Sequence, residues 1–505
     1  MPSANFRPVT TTNPTPPAAP AGAPKSGIDR YFHLTARGST YGREVRGGLA
    51  TFFTMAYIVV LNPLIIGTAL DVNNNFIGGT TDVVKAITMV TAVTALAAGV
   101  LSILMGIFGR FPLAIAAGLG LNGFVAFSLA PNMTWADAMG LVVIEGVIIL
   151  ILVLTGFRTK IFKSVPPALK YAVGAGIGLF LVLIGLVDAG IVQKGTPLIT
   201  FGVFGTLQGW PILTFCLGLL ITIILVVRKV KGAILISIIA TTIFAVIIES
   251  IVKVGPKFGA DDAFNPVGWG LNVPKLPSSV FAVPDLGLFW QFNLFGSWQL
   301  IGVIATVTAI FALILSDFFD TMGTVQGLAH EAGVEDEKGN IPHLTGILVV
   351  DSFAAIGGGV TSSSSNTAYI ESGSGISEGA RTGIASIITG VLFLLAMFIA
   401  PLVTTVPYEA AAPALIIVGF LMFSQTRNID FKDYTIGIPA FLTIVIMPFT
   451  YSIANGIGAG FLSYVILMAV TGKAKKVGWL RWVVAALFLL YFMQTPIQGW
   501  VGVGA

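Results

Sequence analysis

Charge is scarce in this chain. Asp, Glu, Lys and Arg together make up 10% of 505 residues, whereas a soluble domain carries about 25%. A water-soluble globule of this length would have too few ionised side chains to cover itself. Cysteine is nearly missing: Cys216 stands alone inside an apolar run, which excludes an intrachain disulfide framework or a thiolate metal centre. Three histidines exclude a histidine-rich metal site. The first 26 residues are rich in Pro, Ala, Thr and Asn and contain no apolar core of the kind a cleavable leader has. Residues 1–30 are expected to form a disordered cytoplasmic tail.

Apolar residues are plentiful instead. They make up 55% of the chain, the mean hydropathy is +0.92, and they come in long runs such as 47–70 and 380–403. A helix needs about 20 residues to cross roughly 30 Å of hydrocarbon. Because lipid offers the backbone no hydrogen bonds, repeated runs of this length predict an all-α bundle. Fourteen spans are expected, near 47–69, 84–108, 111–130, 134–156, 166–188, 211–228 and 231–251, then 299–327, 342–359, 361–378, 380–403, 409–424, 435–453 and 455–472. A further apolar stretch, 479–497, either crosses the membrane, lies in the interface or packs on the bundle.

Basic residues predict the orientation. With the N-terminus inside, the inner connections hold Arg110; Arg158, Lys160 and Lys163; Arg228, Lys229 and Lys231; Lys338; Arg381; Arg427 and Lys432; and Lys473, Lys475 and Lys476. The outer connections 70–83 and 131–133 hold none. The long polar connection 252–298 divides the spans into two sets of seven. An odd number per half inverts one half relative to the other, the plan of many secondary transporters. A short echo, Thr51-Phe52-Phe53-Thr54 in span one and Asp317-Phe318-Phe319-Asp320 in span eight, fits that plan.

Spans three and ten are poor membrane helices. Span three contains Phe111-Pro112, Gly118, Gly120, Asn122 and Gly123, and span ten runs from Thr361 through four serines, Asn366, Thr367, Tyr369 and Glu371 to Gly375. Glycine-interrupted segments at equivalent places in two halves point to a transporter's binding site. Broken backbone is tolerated there only where protein shields it or it lines a cavity.

Intramembrane carboxylates are costly and usually functional. Asp317, Asp320 and Thr324 are spaced to share one helical face, and Glu371 sits in the Ser/Gly stretch of span ten. Such groups can accept hydrogen bonds from the N–H edge of a flat neutral ring. Asn122 donates and accepts, and hydroxyls adapt to either role. A carboxyl that gains a proton on one side and loses it on the other would couple transport to a proton gradient. Asp317 has a competing role as a structural pair or cap, and so do Glu145 and Asp351. Glu378 and Arg381 are expected at the inner edge as a possible pair. Of the aromatics, Phe319 and Tyr369 are the candidates for stacking on a ring. Gly118-Leu-Gly-Leu-Asn-Gly123 matches the dinucleotide fingerprint only by accident, since it lies in a membrane segment without a βαβ unit. Asn132-Met-Thr134 is a glycosylation sequon that matters only in a eukaryotic secretory pathway.

Several stretches together resemble a known family. Tyr31-Phe32, Gly48 through Asn62-Pro63, Gly118 through Asn122, Asp317 through Thr324, Thr367 through Gly375, Ala412 through Gly419 and Met447 through Gly458 are similar to the AzgA-type purine permeases, which are related to the nucleobase–ascorbate transporters. The likeness covers about residues 30–497. It implies import of adenine, guanine, hypoxanthine or xanthine with protons across the plasma or inner membrane. It also implies fourteen spans in a 7+7 inverted repeat. A core domain would comprise 47–156 and 299–403, and a gate domain 166–251 and 409–497. By motif match it places substrate contacts at Asn122, at an acidic residue of span eight and at Glu371. Asp320 precedes Thr-x-Gly and matches best there, with Asp317 left open. The full expected substrate set is Gly120, Asn122, Phe319, Asp320, Thr324, Asn366, Thr367, Tyr369 and Glu371, with Asp317, Asp320 and Glu371 handling protons. No enzyme activity, catalytic residue, metal, cofactor or nucleic-acid partner is expected. The partners would be the purine, the proton, the lipid bilayer and, by analogy of fold, a second copy of the chain. The main alternative is an anion transporter or channel on the same fold, which the acids of spans eight and ten disfavour. An intramembrane aspartyl protease lacks its signature surroundings here.

Overall fold

The computed structural model describes residues 26–156, 166–195, 198–258, 264–277, 279–335 and 341–493. The first 25 residues of the expected tail, the basic groups Arg158, Lys160, Lys163 and Lys338, residues 494–497 and the Phe319 side chain lie outside the described part.

Among the described residues, eleven helices are long and apolar enough to cross a membrane: Tyr41–Ile66, Val83–Gly109, Trp135–Leu154, Pro167–Asp188, Trp210–Val227, Ala233–Val252, Gly302–Ala332, Leu344–Thr361, Gly383–Val403, Tyr408–Asn428 and Ile453–Val470. Two shorter apolar helices are Tyr434–Phe449 and Trp479–Phe492. The second has 14 residues, and at 1.5 Å per residue it falls short of the hydrocarbon thickness. It packs on the Ile453–Val470 and Gly302–Ala332 helices.

Many helices start where a polar side chain takes up the orphan N–H groups of the first turn. Thr40 caps through Arg43, Asp82 through Val84 and Lys85, Thr134 through Asp137, and Ser452 through Asn455. In lipid, close approach of backbones across small residues replaces the hydrophobic drive for helix pairing. Such contacts recur. A Cβ built on Gly390 would lie 2.5 Å from the Gly99 carbonyl, and one on Gly178 would lie 2.6 Å from the Gly419 carbonyl. The first contact binds Val83–Leu104 to Gly383–Ala396, and the second binds Pro167–Asp188 to Tyr408–Phe423. Pro167–Asp188 also packs on Tyr434–Phe449. Trp210–Val227 and Ala233–Val252 pack on one another and are the least enclosed of the long helices.

Among the described residues there are four short strands: β1 (Ile115–Ala117), β2 (Val192–Lys194), β3 (Ile199–Phe201) and β4 (Asn366–Ala368). β2 and β3 form a small hairpin, while β1 and β4 pair across the centre of the molecule. The connection after Val252 is more than a divider between halves. Ala282 donates to the Phe398 carbonyl, Trp290 to Val360 and Asn293 to Ala136. It therefore runs over the ends of three helices.

Candidate functional site

Two interrupted segments build the site. After the helix Val83–Leu104 and its π-helical continuation Met105–Gly109, Arg110 turns into the left-handed region at φ 50°. Pro112 then discourages renewed helix, and the chain runs extended through β1 before the short helix Leu119–Phe124. In the second segment, Ser362 and Ser364 take φ of 58° and 72° after Leu344–Thr361. The chain extends through β4 and re-enters short helices at Ile370–Ser372 and Gly373–Ser377.

The two extended pieces lie antiparallel, with Ile115 opposite Ala368, Ala116 opposite Thr367 and Ala117 opposite Asn366. Further bonds continue the ladder at both ends. Gly118 N–H donates to the Ser365 carbonyl and Tyr369 N–H to Ala114, both at 3.0 Å. Side chains satisfy the remaining N–H groups: Ser386 Oγ accepts from Leu113 (2.8 Å), Ser372 from Ala114 (3.0 Å) and Ser102 from Ile115 (3.0 Å). This is the price of non-helical backbone inside an apolar bundle, where each orphan group costs several kcal/mol. Alanine at 116 and 117, fully enclosed, lets the strands sit this deep. Gly118 fits for a related reason: a Cβ there would meet Thr367 Oγ1 at 3.0 Å.

The Gly302–Ala332 helix brings its acids to this joint. Asp320 accepts a hydrogen bond from Thr367 Oγ1 at 3.2 Å and is exposed. Asp317 is fully buried and Thr324 nearly so. The expected shared face thus splits by access: Asp320 is exposed and Asp317 packs inside. Glu371 is half-buried and accepts from the Tyr57 hydroxyl. Tyr57 stands at the break between Tyr41–Met55 and Ile58–Ile66.

The other expected residues divide into open and committed groups. Asn122 is fully buried, and neither of its amide atoms has a hydrogen-bond partner. Asn366 spends its amide nitrogen on Ser363 Oγ and the Ser364 carbonyl, each at 3.1 Å. It therefore shapes the turn into β4. The Tyr369 hydroxyl donates to the Ala117 carbonyl at 2.6 Å, which clamps the crossing. Gly120 touches the Pro167–Asp188 helix: a Cβ there would lie 2.6 Å from Ile177 Cγ2.

Three relationships escaped the sequence reading. Tyr57 reaches Glu371 across 314 positions of sequence, a contact that no local pattern marks. Glu145 lies against the crossing, with Ser365 Oγ at 3.5 Å. Asp351 accepts from Thr321 Oγ1 at 2.7 Å. These two buried acids form a second layer behind the open pair. Glu378 pairs with Lys231 rather than with Arg381, and Arg381 donates to the carbonyls of Ile376 and Ala380.

A permease family model (Xan_ur_permease, described as Permease family) matches residues 42–495. The chain belongs to this permease family. Its similarity to individual members runs the length of the permease. The guanine/hypoxanthine permease PbuG of Bacillus subtilis is 38% identical over 465 residues, covering 92% of this chain and 99% of that protein. The adenine permease AdeP of Escherichia coli is 36% identical over 465 residues, covering 92% and 95%. Among solved structures, the transmembrane domain of the cyanobacterial bicarbonate transporter BicA superposes with a TM-score of 0.56 at 16% identity, over 83% of this permease and 96% of that chain. At that identity the likeness is one of fold. The permease is therefore a multi-pass membrane protein with homologues named for purine transport.

Proposed function

We propose that this permease is a secondary active transporter that imports purine nucleobases, coupled to protons, by alternating access. The observation that carries the reading is the meeting of Asp320 and Glu371 at a crossing of two interrupted segments. A nucleobase is flat and uncharged, with N–H and carbonyl groups along its edges. Asp320 and Glu371 accept from the N–H groups, and Thr367 and Thr324 supply hydroxyls. The half-helices Leu119–Phe124 and Gly373–Ser377 begin beside the crossing and hold Asn122 and Gly375 there. Carboxylates facing the ligand disfavour an anionic substrate, which separates this reading from the anion carriers of like fold.

The eleven long helices, the two interrupted segments and Tyr434–Phe449 make fourteen crossings in two inverted sets of seven. The core comprises 47–156 and 299–403, and the gate 166–251 and 409–497. The N-terminus lies in the cytoplasm. Protons travel with the base because Asp320 or Glu371 is loaded on one side and released on the other.

Uptake of radiolabelled purines into cells without their own purine permeases tests the proposal. Glu371→Gln and Asp320→Asn are expected to abolish uptake while leaving the amount of protein in the membrane unchanged. A protonophore is expected to stop accumulation by the wild type. Undiminished uptake in both variants removes the site assignment, and failure of every unlabelled purine to compete removes the substrate class.

A further inference from the structure

A polar cavity lies away from the crossing, where the end of the Pro167–Asp188 helix meets the start of Tyr408–Phe423. Asp188, Gln193, Gln208, Lys257, Gly270 and Glu409 are among its walls, and its volume is about 20 Å³. That is room for one ion or one water molecule, which needs roughly 10–15 Å³, and far too little for a purine.

Glu409 is the central wall residue. It is only 3% exposed. One carboxylate oxygen accepts from Gly270 N–H at 3.0 Å, and the other, Oε2, is buried with no hydrogen-bond partner. A buried carboxylate oxygen without a partner costs more than a neutral group in the same position. The cavity holds a second carboxylate, Asp188, within electrostatic reach of the first. Asp188 is also the last residue of its helix. The final carbonyls of a helix lack intrahelical donors and carry its negative end. The Asp188 carbonyl and Glu409 Oε1 converge on one point: a Cβ built on Gly270 would lie 3.6 Å from the former and 3.3 Å from the latter. Glycine at 270 keeps that space clear. Gln193 and Gln208 spend their amide nitrogens on the Gly190 carbonyl (3.0 Å) and Thr206 Oγ1 (2.5 Å), which commits the donor ends of both amides and leaves the acceptor ends.

Among the described residues the cavity therefore offers carboxylate, carbonyl and amide oxygens and no sulfur or imidazole, a donor set suited to hard cations. Lys257 is the positively charged residue among the described walls. Two carboxyl groups face one ammonium there.

We propose that this cavity binds one sodium-sized alkali cation, held by Glu409, Asp188 and the Asp188 carbonyl. The site is separate from Asp320 and Glu371, so it stands or falls independently of the purine reading. Its occupant sits between two acids at a junction between the Pro167–Asp188 and Tyr408–Phe423 helices.

The test uses the purified full-length protein in detergent. Its unfolding temperature is measured in graded sodium chloride at constant ionic strength, balanced with choline chloride, alongside binding of radiolabelled sodium. A saturable rise in unfolding temperature and saturable binding are expected. Both are expected to vanish in Glu409→Gln and Asp188→Asn and to persist in Glu371→Gln. Gly270→Ala keeps both acids and is expected to weaken sodium binding by tenfold or more, so a fold defect in an acid variant does not end the test. Identical curves in sodium and choline overturn the proposal. So does a sodium response that survives in both acid variants, or a response to potassium or calcium with none to sodium.

Discussion

Adding one methyl group at Gly120 probes the contact between the crossing and its neighbouring helix. Gly120 opens the second half of span three, and the Cβ of an alanine there would lie 2.6 Å from Ile177 Cγ2. An ordinary carbon–carbon contact is about 3.5–4.0 Å, so one surface must retreat by roughly 1 Å. The obstacle is a branch at Cβ of a side chain that is only 5% exposed, and β-branched residues have few alternative rotamers in a helix. Overpacking of this kind costs about 1–3 kcal/mol, and each 1.4 kcal/mol is about tenfold in an equilibrium. Gly120→Ala is therefore expected to disfavour the described packing of Leu119–Phe124 on Pro167–Asp188 by about 5- to 150-fold. Ile177→Ala alone leaves a cavity and costs about 2–5 kcal/mol. Combined, the new methyl occupies part of that cavity, and the double variant is expected to be more stable than the sum of the single effects predicts. Thermal unfolding of wild type, both single variants and the double variant measures the coupling energy directly. Additive effects, or a neutral Gly120→Ala, would refute the reasoning, because the contact would then have room to yield.

Tyr57→Phe removes the hydroxyl that donates to Glu371. Hydrogen bonds to a charged group contribute about 1.5–3 kcal/mol, so purine uptake is expected to fall by about tenfold or more. Uptake equal to wild type across substrate concentrations counts against Tyr57 as a positioning residue. The Lys231–Glu378 pair is about half exposed on the lysine side, at 51% against 29% for the glutamate, so it is worth no more than about 1 kcal/mol. Lys231→Ala is expected to change uptake less than about fivefold, with recovery in the Lys231→Glu/Glu378→Lys double variant. Abolished uptake without recovery in the swap points to a different role for Lys231. Gly390→Ala places a methyl 2.5 Å from the Gly99 carbonyl, a backbone atom that cannot rotate away. Its unfolding temperature in detergent is expected to drop by several degrees, and an unchanged value would show that the two helices can part without cost.

Membrane class, helical architecture and the location of the unusual segments were legible in one dimension. Lipid imposes its demand locally: each stretch must be apolar and long enough, or it must be shielded. That is why eleven runs read correctly as long helices. It is also why Phe111-Pro112 and the serines at 362–365 stood out as interruptions. The same logic marked the intramembrane acids as candidates, though the preference for Asp320 over Asp317 came from the motif around it and Glu371 stood out within a Ser/Gly stretch rather than an apolar run.

Partnership was not legible, because contacts between distant segments leave no local period. The register of Ala117 on Asn366, the reach of Tyr57 to Glu371 and the seat of Glu145 beside Ser365 depend on how separate helices are set against each other. The same holds for Glu378, whose neighbour in sequence, Arg381, was the natural guess and whose partner in space is Lys231. The sequence by itself determined that polar groups had to be shielded inside an apolar bundle. Only the tertiary structure decided which carbonyl, hydroxyl or carboxylate shields each one, since hydrogen bonds are short and directional and depend on the final packing of the helices.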